Sequence, residues 1–189
     1  PLELVAAGIR RPELREYEVR SPGPGEVLVR SRLSAEKHGT DLLFYRGESP
    51  FSDNAFDGEH GLFMPLSLES KSAPGGSWPL GNVTVGFVEE LGPDVDGPAV
   101  GTRVYGFMPF REVHTVNASA LRIAPEGVSD DMLVCLDPAA VAFAGIREGR
   151  LLLGETVAIF GMGAIGLMAV SLARLAGASL VIAIEPLPL

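Results

Sequence analysis

The feature that most constrains this chain is a six-residue run, Gly161-Met162-Gly163-Ala164-Ile165-Gly166, set between two segments of different character. Before it, Thr156-Val157-Ala158-Ile159-Phe160 is β-branched or apolar throughout, the pattern of a strand buried on both faces of a parallel sheet. After it, residues 164–175 are unbroken helix formers, Gly177 is placed to stop the helix, and residues 180–184 read as a second buried strand. Together they make one βαβ unit. Each glycine has its own physical task there: Gly161 makes the tight turn, Gly163 lets backbone approach a pyrophosphate, and Gly166 lets the helix pack on the strand. A helix starting near Ala164 aims its unbonded N–H groups and positive dipole end at such phosphates. Glu185 ends the second strand, where a carboxylate accepts hydrogen bonds from both ribose hydroxyls of NAD and repels the 2′-phosphate of NADP. The expected cofactor is NAD, with NADP possible, held by Gly161, Gly163, Ala164, Ile165, Gly166 and Glu185. Two plainer readings stay open: glycines that serve packing alone, and a solvated carboxylate at a strand end.

Upstream, the pattern is short. Residues 26–33, 82–91, 103–107 and 112–116 are β-rich and separated by turns such as Ser21-Pro22-Gly23-Pro24-Gly25. Residues 1–124 therefore read as an antiparallel β domain, barrel-like in outline. Residues 46–80 hold Gly, Ser, Pro and aromatics without a sustained period, and read as a long connecting loop that is either functional or mobile. Residues 125–153 change character, because 130–147 are rich in Ala, Leu and Val and suit one or two helices bridging the β domain to the βαβ unit at 154–189. A length of 189 residues accommodates one full domain and part of a second, and the chain reads as a piece of a longer protein.

Charge and cysteine content exclude several classes. A net charge of −9 with scattered Lys and Arg offers no basic face for nucleic acid. The longest apolar stretch, 167–178, is interrupted by Arg174 and falls short of the roughly 20 residues that span a bilayer. A single cysteine, Cys135, cannot make an intramolecular disulfide, so a reducing cytoplasm is expected. In its apolar surroundings Cys135 reads as packing rather than a nucleophile.

The order of β domain, helical bridge and glycine turn, with Gly25-Glu26-Val27-Leu28-Val29, His38-Gly39-Thr40-Asp41, Val85-Gly86-Phe87-Val88-Glu89-Glu90-Leu91-Gly92 and Val100-Gly101-Thr102-Arg103-Val104, resembles the medium-chain dehydrogenase/reductase superfamily. That resemblance covers the whole chain. It implies a GroES-like β-barrel catalytic domain followed by the first βαβ unit of a Rossmann fold. Zinc-dependent members carry a Cys before the Gly-Thr-Asp element, Gly-His-Glu before the Val-Gly strand, and a third ligand in the bridge. Here those places hold His38, Asn82 with Val83, and Asp137. An amide is a poor zinc ligand, and one cysteine cannot build the family's four-cysteine structural site, so a zinc-independent protein is expected. The phrases Trp78-Pro79-Leu80-Gly81-Asn82-Val83-Thr84-Val85-Gly86 and Val104-Tyr105-Gly106-Phe107-Met108-Pro109-Phe110 look most like the zinc-lacking branch near bacteriochlorophyllide dehydrogenase-like proteins.

The implied activity is an NAD(P)-dependent oxidoreductase moving hydride between nicotinamide and an alcohol or carbonyl substrate. Alternatives are a zinc-independent quinone or enoyl reductase and a noncatalytic nucleotide-binding relative. Thr40 stands where relatives carry the hydroxyl of a proton relay, with His38 as its titratable end. Thr40 could equally cap a helix starting at Asp41, and His38 could be an idle loop residue. Asp41 and Asp137 read as backbone or helix caps, and Asp57, Glu59 and His60 as a solvated loop cluster rather than a metal site. A small-molecule substrate, no nucleic acid or membrane partner, and a homo-oligomeric full-length protein complete the expectation. The chain alone is expected to bind cofactor weakly, lack activity and self-associate.

Overall fold

Alternating apolar residues in the first part of the chain become short antiparallel strands. The computed structural model describes residues 1–49, 54–66 and 77–187, and the chain divides into two units, Pro1–Val134 and Cys135–Leu189. In the first, β1 (Leu2–Ala6) and β2 (Pro12–Glu16) form a hairpin, followed by β3 (Glu26–Ala35) and helix α1 (His38–Arg46). Next come β4 (Asn54–Asp57), β5 (Leu62–Pro65), β6 (Trp78–Pro79), β7 (Val83–Leu91), β8 (Arg103–Phe107), β9 (Val113–Asn117), β10 (Arg122–Ile123) and helix α2 (Asp130–Val134). The larger sheet runs β10-β8-β7-β3-β9 and the smaller β2-β1-β6.

The expected barrel does not close among the described residues. The small sheet meets the large one through one isolated bridge, Glu3 to Arg111, and through main-chain bonds from Leu4 to Phe110 (2.9 Å) and from Glu112 to Leu2 (3.0 Å). Past Pro79, β6 keeps one long bond to β1, from the Leu80 N–H to the Leu4 carbonyl at 3.4 Å. Residues 46–80 also differ from the expected loop. Within them β4 and β5 pair as a hairpin, because the Asp57 carboxylate accepts the Glu59 and His60 amides (2.9 and 3.2 Å) and Gly61 takes φ +66°. Residues 50–53 and 67–76 of that stretch lie outside the described residues.

β7 is the central strand, and its first half is buried on both faces. Val88 packs with Val27, Val29 and Val104 on one side, while Val85 packs with Ala124 and with Leu133 of α2 on the other. Asp130 ties α2 down, accepting from Arg103 (3.1 Å) and Arg32 (2.7 Å). Gly86 has a steric duty here: a Cβ on it would stand 2.3 Å from the Arg30 carbonyl oxygen of neighbouring β3. Gly86→Ala is expected to lower stability by roughly 1–3 kcal/mol, as overpacking does, and denaturant melts check it.

Two buried ionisable groups among the described residues complete this unit. Glu3 is 3% exposed and accepts from Arg15 (2.7 Å) and Arg111 (2.6 Å). Burial pushes its carboxyl up, but the two guanidiniums outweigh this and hold it below the ordinary value. His114, 4% exposed on β9, bonds the Arg111 main chain, while its Nε2 has no partner. Burial, with the nearby Arg111 charge, pushes the imidazole down to about 4. The unfolded chain protonates at the ordinary histidine value and the folded chain only near pH 4, so stability present at neutral pH is lost as pH falls through that interval. In His114→Leu that loss, up to roughly 3 kcal/mol, is expected to disappear. Identical pH profiles of unfolding for the two proteins would remove the imidazole from this account.

The second unit begins with helix α3 (Leu136–Glu148), continues through β11 (Thr156–Phe160) and helix α4 (Ala164–Leu175), and ends with β12 (Leu180–Ile184). β11 and β12 pair in parallel from Thr156–Leu180 to Phe160–Ile184. The helical stretch expected as a bridge divides between the units: α2 packs on β3 and β7, and α3 packs on α4. No helix among the described residues is long and apolar enough to cross a membrane.

Candidate functional site

The connection from β11 to α4 is built from backbone. Gly161 adopts φ +86°, and its N–H donates to the Ile184 carbonyl at 2.7 Å, tying the turn to β12. Gly163 is the helix N-cap and has no side chain to cap with; its carbonyl accepts the first helical bond, from Leu167 at 2.9 Å. The amides of Ala164, Ile165 and Gly166 therefore have no acceptor one turn earlier in the helix, and the first turn of α4 has no acidic residue to neutralise its positive end. Gly163 and Ile165 are exposed, while Gly161, Ala164 and Gly166 are half-buried. Gly166 is the tightest point, since a Cβ there would lie 1.8 Å from the Gly161 carbonyl oxygen. The group that suits this cradle is an anion approached by main-chain N–H donors.

Glu185 stands directly after β12, half-buried, at the edge of the turn. Its Oε2 accepts the Met162 N–H at 2.7 Å and its Oε1 the Leu187 N–H at 2.9 Å. Those two donors hold its carboxyl below the ordinary value, so it is ionised at neutral pH. The sequence brought Glu185 to the site as a hydrogen-bond acceptor for a ligand; its bond to Met162 could not be read from spacing. All six residues proposed from the sequence as cofactor contacts thus lie at one end of the β11–β12 pair.

In the first unit, three of the motifs carrying the resemblance converge at one end of the larger sheet. Ala35 ends β3 just before α1, and its carbonyl accepts the Asn82 N–H at 2.9 Å. The Asn82 carbonyl accepts the Met108 N–H at 2.9 Å, and Val83 pairs with Phe107. This sets the end of β3, three residues before α1 with His38 and Thr40, beside the start of β7, which in turn pairs with the end of β8. α1 begins at His38 with Lys37 as N-cap, so Thr40 is not the cap that one reading allowed. Asp41 takes a capping part instead, its Oδ2 accepting the Lys37 N–H at 3.1 Å. The Thr40 side chain is half-buried, and the His38 side chain lies outside the described residues. Asp137 falls in the first turn of α3, in the other unit.

Sequence reasoning missed Ser34 and Thr84, which pin this sheet end together. Thr84 is fully buried; its hydroxyl shares a 2.7 Å hydrogen bond with that of Ser34 and donates to the Met108 carbonyl at 3.1 Å. A threonine amid the valines of a central strand was the available signal, because a buried hydroxyl must find partners. Asp57, Glu59 and His60 form the β4–β5 turn, where Asp57 Oδ2 lies 2.8 Å from His60 Nδ1.

No family model matches the chain. It is 41% identical to the D-guloside 3-dehydrogenase of Escherichia coli (strain K12), over 98% of this chain and 54% of that relative. Its fold is similar to that of an alcohol dehydrogenase from Thermus sp. ATN1, with a TM-score of 0.72, 23% identity, and coverage of 100% of this chain and 59% of that one. It is also similar to a quinone oxidoreductase from Thermus thermophilus, known in complex with NADPH: TM-score 0.67, 22% identity, and coverage of 100% and 54%. The chain spans about half the length of the curated relatives it matches.

Gly166→Ala is expected to be destabilising, because helix or turn must move to clear the Gly161 oxygen, at a cost of roughly 1–3 kcal/mol. The substitution at Gly161, where the backbone is left-handed but a Cβ meets nothing, is expected to cost less. Thermal melts of both variants read the order, and the reverse order would contradict this picture of the turn.

Proposed function

The chain belongs to the alcohol dehydrogenase, or medium-chain dehydrogenase/reductase, superfamily, and from that premise we propose that it is part of an NAD-dependent oxidoreductase acting on an alcohol or carbonyl group. The observation that carries the reading is the uncapped N-terminus of α4 facing a glycine turn, with an ionised Glu185 beside it. The bound nicotinamide dinucleotide would supply the group that takes or gives the hydride. The amides of Ala164, Ile165 and Gly166 would hold its pyrophosphate, and Glu185 would accept from its ribose hydroxyls. A carboxylate there opposes a 2′-phosphate, and the next residues, Pro186 and Leu187, bring no cation to offset it. NAD is therefore preferred over NADP.

On the substrate side, the proton that must accompany hydride transfer would be held at the Thr40 hydroxyl, with His38 as its titratable partner. The name of the Escherichia coli relative suggests the substrate class, a secondary hydroxyl on the ring of a sugar glycoside. Turnover is proposed to need no zinc, since Asn82 and Val83 stand where zinc-dependent members carry His and Glu. We further propose a cytoplasmic homo-oligomer acting on small molecules.

The protein expressed from its complete gene, stripped with chelator, is expected to bind NADH at least about tenfold more tightly than NADPH by fluorescence titration. Elemental analysis should find no stoichiometric zinc, and NAD reduction is expected with a panel of methyl glycosides. Tighter NADPH binding would overturn the role of Glu185, and stoichiometric zinc would overturn the metal-free mechanism. Binding of neither nucleotide would sink the reading as a whole.

A further inference from the structure

The turn between β11 and α4 is tied to β12 by two consecutive amides. Gly161 donates to the Ile184 carbonyl at 2.7 Å, and Met162 donates to Glu185 Oε2, also at 2.7 Å. The first tie is main chain to main chain and indifferent to residue type. The second depends on one side chain. Residue 162 lies between strand and helix, where neither ladder nor helix supplies an acceptor, so without Glu185 its amide turns to water. Glu185 is itself held, since Oε1 accepts from Leu187 at 2.9 Å. An ionised carboxylate has about four lone-pair sites, and these two bonds use one on each oxygen, leaving one on each for a ligand hydroxyl.

We propose that Glu185 is a positioning residue for the glycine turn as well as a ligand contact: its carboxylate, bonded to Met162 and steadied by Leu187, holds the turn in the shape that presents the α4 amides to a pyrophosphate. This rests on the nucleotide reading above and adds a duty that does not involve the ribose. Charge-assisted bonds to backbone N–H are roughly twice as strong as neutral ones, so an acid serves this tie better than an amide. The depressed carboxyl of Glu185 accords with that. The geometry leaves little slack around the tie, because a Cβ at Gly166 would already sit 1.8 Å from the Gly161 oxygen. A shift of the turn toward α4 closes that gap, and a shift away spoils the cradle.

A contact limited to the ribose and a tie that shapes the turn predict different results for an NADH analogue lacking the 2′- and 3′-hydroxyls of its adenosine ribose. The experiment compares wild type, Glu185→Gln and Glu185→Ala. Amide hydrogen exchange without nucleotide is expected to speed up at Met162 by about tenfold or more in Glu185→Ala, with the β11 amide of Ala158 unchanged and Glu185→Gln in between. Affinity for the analogue is expected to fall about tenfold in Glu185→Ala, alongside the loss for NADH itself. Unchanged exchange at Met162 overturns the proposal, and so does faster exchange with undiminished affinity for the analogue. A wild-type protein that binds neither NADH nor the analogue sinks the nucleotide reading instead, and the exchange at Met162 then decides the tie alone. Should Glu185→Ala fail to fold, Glu185→Gln carries the comparison, since its side-chain oxygen is a weaker acceptor in the same place.

Discussion

Everything at the β11–α4 turn depends on the absence of one carbon atom. Gly166 lets the first turn of α4 come so near the Gly161 carbonyl that any side chain would have to be accommodated by displacing the helix. That approach puts the unbonded amides of the helix at the mouth of the turn. The amides have no acceptor within the helix, and no acidic side chain in its first turn supplies one. The sole carboxylate bonded to the turn, among the described residues, comes from beyond β12 and takes the Met162 amide ahead of the helix. The division of labour is local: a side chain shapes the turn, and main chain is left for the ligand.

The first unit is organised by a different constraint, the need to bury β7 on both faces. Valines do most of this, and where the chain places Thr84 among them, Ser34 and the Met108 carbonyl satisfy its hydroxyl. The same bonds fix the end of β3 and the loop after β8, so packing and site geometry share residues. Glu3 plays a similar part between the sheets, where its two arginine partners reach it from β2 and from the segment before β9.

Elements with an uninterrupted apolar signature were legible. β11, α4 and β12 fall at 156–160, 164–175 and 180–184, where β-branched runs, helix formers and Gly177 placed them. β2 and β4 were not, because Pro12-Glu13-Leu14-Arg15-Glu16 and Asn54-Ala55-Phe56-Asp57 carry too few apolar residues to show a period, and tertiary pairing makes them strands. The barrel outline was over-read from strand count, since closure depends on hydrogen bonds between distant edges that no local pattern encodes. At the candidate site the glycines, Glu185 and the capping part of Asp41 could be named from the sequence, whereas the bond between Glu185 and Met162 and the pairing of Ser34 with Thr84 arise from distances the fold creates.

Two of the sheet margins, β2 and β11, differ in how they would treat a stranger. Among the described residues β2 bonds β1 alone; its five residues are all exposed, three of them charged, and it opens with a proline that cannot donate. Such a margin discourages another chain from adding a strand. β11 bonds β12 alone among the described residues, and its sequence, Thr156 to Phe160, has no charge and no proline, with Phe160 76% exposed. A margin of that kind offers its unpaired main-chain groups to a further strand.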